Sequence, residues 1–282
     1  MAPMLPYVMR GRTGATVYFS RDVDVEAALT YVHHKNAERQ EARYSLFGII
    51  LAAAVRTFAL KPKLNRFVSR RGVYQRNDLS FSFIVKRILT EEAVERSAKV
   101  WFKPEDTVDA VVAKMNAAID AIRGDEPTPD EREMSIVSSL PGGRAFSTFL
   151  FRLLDSWNIA PLGMIRSDPL YTSAYFANLG SIGLETPYHH LYEWGTASLF
   201  IALGRIFRKE FGRGAGRRHI NFKISLDERI ADGLYFAHAA SLLARFVRKP
   251  EELELPLNDF QRDDAELLED FERTGTDGPG SN

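Results

Sequence analysis

Ser225-Leu226-Asp227-Glu228-Arg229-Ile230-Ala231-Asp232-Gly233 is the stretch on which the reading of this chain turns. The segment entering it, His219 to Leu226, alternates apolar and polar residues as a half-buried strand does. The segment leaving it, Leu234 to Arg248, places Phe236, Ala240, Leu243 and Val247 on one helical face. The period thus changes from that of a strand to that of a helix across a short turn holding four charged groups.

Working outward, Tyr171 to Phe176 predicts a second strand, running into N-L-G-S-I-G with Asn178, Gly180 and Gly183. Ala197 to Gly204 predicts a third. Nearer the N-terminus, A-T-V-Y-F-S from Ala15 reads as a strand. Asp22 to His34 reads as the helix after it, with Asp24 as N-cap candidate and Val25, Ala28, Leu29 and Val32 on one face. Tyr44 to Leu60 is a long apolar helix expected to be buried on more than one side. Leu79 to Ile88 and Val100 to Phe102 read as strands, and Thr107 to Ile122 as an amphipathic helix. Arg123 to Glu133 is a polar linker with two prolines. Pro141-Gly142-Gly143 then interrupts an apolar run, and Ala145 to Trp157 has amphipathic helical spacing. Beyond Pro256 the chain turns acidic, and its last twenty or so residues read as a disordered tail.

Composition sets the bounds. The chain has 282 residues, of which 45% are hydrophobic and 26% charged, as in an ordinary globular domain. Its 37 basic residues balance 37 acidic ones, which excludes the basic excess of a nucleic-acid binder. The absence of cysteine excludes a thiol nucleophile and Cys-ligated zinc. No apolar run reaches the roughly 18 residues needed to span a bilayer. The N-terminus lacks the charged-then-apolar order of a secretory signal. A cytoplasmic protein without a transmembrane segment is the expectation, and no carrier domain or internal repeat is visible.

Asp227, Arg229, Asp232 and Gly233 match the signature D-H-R-x-x-D-G. This motif resembles that of the catalytic domain of 2-oxoacid dehydrogenase acyltransferases, the E2 components, and of the related chloramphenicol acetyltransferase. The family also has a strand ending F-T-I-S-N-L-G, to which S-A-Y-F-A-N-L-G, Ser173 to Gly180, is similar. Glu228 follows Ala177 by 51 positions, close to the family's separation of its two motifs. The resemblance covers roughly 15–122 and 168–250. It implies an α/β coenzyme-A-dependent acyltransferase fold, a mixed sheet with helices packed on it. Residues 1–262 then form a single domain with an atypical insertion at about 123–167, followed by the tail at 263–282.

The resemblance also implies roles. In the family a neutral histidine of the D-H-R motif takes the proton from an attacking thiol, and the serine of S-N-L-G donates to the oxyanion. Glu228 stands at the histidine position and Ala177 at the serine position. Asp227, Arg229, Asp232, Gly233, Asn178 and Gly180 are left as scaffold. The Asp of D-G is expected to pair with an arginine and the Gly to allow a tight turn. Alanine donates nothing, and losing one oxyanion donor typically costs about 10²–10³ in rate. A carboxylate titrates near ~4.3 and a thiol near ~8.5, so a glutamate base starts about four units short unless burial raises it.

The other titratable candidates are weaker. His238, less than two turns past Asp232, either reaches back toward the site or lies at the core edge. His189-His190 fall in a turn with no third ligand at metal-binding spacing, so no metal is expected. His33-His34 are expected to cap a helix end. Glu228 and Asp232 either share a proton or have one of the two neutralised by Arg229. The apolar segment 134–164, with Phe146, Phe149, Phe151, Leu153, Leu154 and Trp157, is either a helix packed on the core, a lid, or a surface for a lipid-like ligand or partner. The first functional expectation is a homotrimeric E2-like protein, catalytically degenerate, with a binding or assembly role. Its ligand would be coenzyme A or a lipoyl thioester. The alternatives are an active acyltransferase using Glu228 or His238 on an unusual acyl group, and a subunit of a mixed oligomer with an intact paralogue.

Overall fold

A six-stranded mixed sheet carries the structure, with its strands in the order β1-β8-β7-β6-β4-β5. The computed structural model describes residues 4–38, 43–70, 72–86, 95–123, 143–157, 159–210 and 216–260. The strands are β1 (Thr16–Asp24), β4 (Leu79–Lys86), β5 (Glu95–Phe102), β6 (Ala174–Asn178), β7 (Leu199–Lys209) and β8 (Arg217–Asp227). A separate hairpin pairs β2 (Arg66–Ser69) with β3 (Gly72–Gln75). β4, β6 and β7 are mutually parallel, and β1, β8 and β5 add antiparallel partners.

Alternation along the strands sorts the side chains onto two faces. Phe81, Phe83, Phe176, Ile201, Phe222 and Ile224 point to the helix layer and form the main core. That layer consists of α2 (Glu26–Glu38), α3 (Leu46–Leu60), α4 (Val108–Arg123) and α7 (Gly233–Arg248). α3 lies at its centre and is apolar almost all round, so every residue from Gly48 to Phe58 is buried. Its N-cap Ser45 accepts the Gly48 N–H. The opposite face of the sheet carries a smaller cluster, Tyr175, Ala177, Phe200 and Ala202 with Leu191. α1 (Leu5–Val8), α5 (Gly143–Ser156) and α6 (Leu162–Ser167) complete the α-helices among the described residues.

The expected mixed sheet with helices on it is therefore the observed one, with shifted boundaries. Asp22 to Asp24 belong to β1 and not to the helix after it. Asp22 and Asp24 tolerate the strand because Lys209 and Arg217 pair with them from β7 and β8. Asp24 still accepts the Glu26 N–H at 2.9 Å as α2 begins. β5 begins at Glu95, before the expected Val100, and β6 is shifted to Ala174–Asn178. His33 and His34 are exposed inside α2 and not at its end, with His34 Nδ1 3.4 Å from Glu38. The linker from 124 and the tail from 261 lie outside the described residues.

Candidate functional site

The charged turn leaves β8 over a buried ion pair. Arg229 Nε and Nη2 donate to the two oxygens of Asp227 at 2.7 and 2.6 Å. Both side chains are almost fully shielded from solvent. Arg229 also donates to the Met9 carbonyl at 2.9 Å, and the Glu228 N–H bonds to the Ala15 carbonyl at 3.0 Å. The turn is thus tied to the segment before β1. A fork-to-carboxylate pair satisfies both groups where neither could be left alone.

Arg12 and Glu193 complete this cluster and could not be read from the sequence. Arg12 is buried and donates to the Tyr192 carbonyl at 3.2 Å. Burial lowers its pKa, opposed by the attraction of Asp227. Glu193 accepts from the Arg12 and Thr13 N–H groups at 3.2 and 2.9 Å. Nothing local marks either residue, because their partners lie some 180 positions away.

Three expected roles change. Arg229 pairs with Asp227 and so does not neutralise Glu228 or Asp232. Asp232 is exposed and caps α7, accepting the Tyr235 N–H at 2.9 Å. That hydrogen bond holds its carboxyl below the usual range. Gly233 needs no glycine geometry, since a Cβ built there would meet open space. By contrast Gly180 is sterically required, because a Cβ there would come within 2.3 Å of the Gly204 carbonyl oxygen. Asn178 accepts the Ser181 hydroxyl on its carbonyl at 2.7 Å as the chain turns out of β6.

Glu228 is half-buried, and its carboxylate has no hydrogen bond or ion pair with a described residue. Ala177 is buried in the smaller cluster. The two do not meet within one chain. The Asp227 N–H bonds to the Ser198 carbonyl, and Tyr175 is level with Phe200, so the turn begins level with the start of β6. Ala177 therefore lies about 15 Å further along the strands and about 10 Å across them. His238 is half-buried on α7, six residues past the cap.

The segment between β6 and β7 covers the face carrying Ala177. His189 stacks on Phe200 at 4.0 Å and on His190 at 4.9 Å, and burial lowers its pKa. Ser225 Oγ donates to the His189 carbonyl. No group of three or more potential metal ligands comes together among the described residues. α5 packs through Phe151, stacked on Trp194 at 5.1 Å, while Phe146, Phe149, Leu150, Leu153 and Trp157 form an exposed stripe. No described helix is long and apolar enough to cross a membrane.

The fold is shared with solved structures. The cubic core of the pyruvate dehydrogenase multienzyme complex superposes with a TM-score of 0.60 at 10% identity, covering 85% of this chain and 84% of that one. The Azotobacter vinelandii dihydrolipoamide acetyltransferase gives 0.59 at 11% identity, over 85% and 84%. That protein was solved to study a serine, a histidine and an asparagine in its catalytic mechanism. A chloramphenicol acetyltransferase gives 0.53 at 13% identity, over 86% and 91%. No protein-family model matches the sequence, and no curated protein does. The chain has the α/β fold of E2 catalytic domains and chloramphenicol acetyltransferase.

Proposed function

We propose that this protein is a catalytically degenerate member of the E2-like acyltransferase fold, acting as a trimeric binding or assembly subunit. The observation that carries this is the contrast at the turn. The Asp227–Arg229 pair that shapes it is intact, while Glu228 and Ala177 occupy the positions where the motifs place a histidine base and a serine donor. A methyl group supplies no oxyanion donor. A glutamate carboxylate is a poor base for a thiol proton, and no hydrogen-bonded partner among the described residues orients this one.

The separation of Glu228 from Ala177 supports the trimer. Two positions about 15 Å apart along the strands and two strands apart across the sheet serve one reacting centre only when different copies contribute them. The exposed stripe of α5 adds apolar area for which a further contact would be a use. The ligand class that the fold implies is coenzyme A or a lipoyl thioester.

Consumption of acetyl-coenzyme A with a free thiol acceptor, wild type beside Glu228→Ala, tests the reading. Equal, background-level rates in both proteins are expected. Wild-type turnover that disappears in Glu228→Ala would make the protein an enzyme with a carboxylate base.

A further inference from the structure

A cavity lies in the helix layer, on the face of the sheet opposite Ala177, with one end at Leu226 beside the turn. It is enclosed between the sheet and the helices α3 and α7 and measures about 740 Å³, within the range of small-molecule sites. Protein interiors pack to crystal density, so a space of this size in a core needs a cause. The cause is the run of small residues facing it: Ala54 and Thr57 on α3, and Ala237, Ala240 and Ala244 on α7. Leucines there would fill it. The sheet contributes Ile201, Ile224 and Leu226 to its floor. Phe19 on the edge strand is 38% exposed, which marks the side on which the cavity opens.

The charge in it is at one end. α7 runs alongside β1, and Arg21 donates to Ser241 on α7 at 3.0 Å. Arg248 lines the same end, while Phe236 and Leu226 line the other. No carboxylate pairs with Arg21 among the described residues, and its pKa is lowered by burial and then by Arg248. Asp22 and Asp24 also line that end. They are engaged by Lys209 at 3.0 Å and Arg217 at 3.1 Å. Arg21 therefore stands at the mouth of an apolar space with a neutral hydroxyl as its acceptor and a second cation beside it. A guanidinium fork in that position matches a carboxylate in geometry as well as charge.

We infer that this cavity binds a fatty-acid anion, its carboxylate on Arg21 beside Arg248 and its chain between α3, α7 and the sheet. This inference is independent of the degenerate reading of Glu228, because it concerns other residues and needs no acyl transfer.

Titration calorimetry with dodecanoate on the full chain tests it. One site per chain is expected, with dodecanol at least tenfold weaker on the wild type because it lacks the carboxylate. Arg21→Ala is expected to weaken dodecanoate at least tenfold, and Ala240→Phe to abolish binding by filling the space. Phe149→Ser, on the exposed stripe of α5, should leave it unchanged. No binding by the folded wild type would overturn the inference. So would dodecanol binding as tightly as dodecanoate, or affinity lost in Phe149→Ser and kept in Arg21→Ala. If Ala240→Phe does not fold, the alcohol comparison and Arg21→Ala still decide.

Discussion

At the scale of single residues, the best-determined feature is the ion pair beneath the turn. Asp227 and Arg229 are both buried, so removing one leaves the other charged and desolvated. Arg229→Met is expected to cost about 3–5 kcal/mol in urea unfolding. The double change Asp227→Leu with Arg229→Met should cost much less, because no lone charge remains. A loss for Arg229→Met as small as that of an exposed pair, about 0–1 kcal/mol, would contradict the burial. The two motif glycines make a second contrast. Gly180→Ala forces a carbon against the Gly204 carbonyl and is expected to cost about 1–3 kcal/mol. Gly233→Ala meets open space and should be neutral or stabilise by about 0.4–1 kcal/mol, by restricting the unfolded chain. Equal losses in thermal unfolding would refute the difference.

At the scale of elements, periodicity made much of the fold legible in the sequence. The change of period at Asp227–Gly233 placed β8, the turn and α7 almost to the residue, and the apolar run around Ile49 placed α3. Asp22 and Asp24 misled because acids at a helix start are common, whereas here cations on neighbouring strands hold them in β1. The hairpin β2–β3 was missed because each of its strands is only four residues long, too short for alternation to show. The site was legible in part. The turn announced its charges, but not that Arg229 folds back onto Asp227, nor that Met9 and Ala15 brace the turn from a distant part of the chain. The joint between α2 and β8 gives a pH prediction. Arg218 donates to Glu26 through Nη2 at 2.6 Å and Nε at 3.0 Å, holding that carboxyl at about 2 against an ordinary 4.5. A depressed carboxylate contributes stability above its unfolded pKa and loses it as pH falls through the folded one. Wild type should therefore lose this contribution between pH 4.5 and about 2. Glu26→Gln should be less stable than wild type at pH 7, with the difference shrinking from pH 4.5 downward and gone once the pH is below about 2. A constant difference across that range would rule the linkage out.

At the scale of the whole molecule, the fold is shared with E2 catalytic domains, and its two chemical positions, at Glu228 and Ala177, are proposed to be altered. A sheet that sets Ala177 about 15 Å along the strands from Glu228, and two strands away, does not bring the two together within one chain. Light scattering on the purified protein should return three times 31.9 kDa, and a monomer would remove the reason for reading the two positions together. The sharpest measurement is acyl transfer from acetyl-coenzyme A to a thiol by wild type, Ala177→Ser, Glu228→His and the double variant. Background rates are expected in the first three and transfer only in the double variant, where base and oxyanion donor are restored together. Wild-type transfer that Glu228→Gln abolishes would contradict catalytic degeneracy.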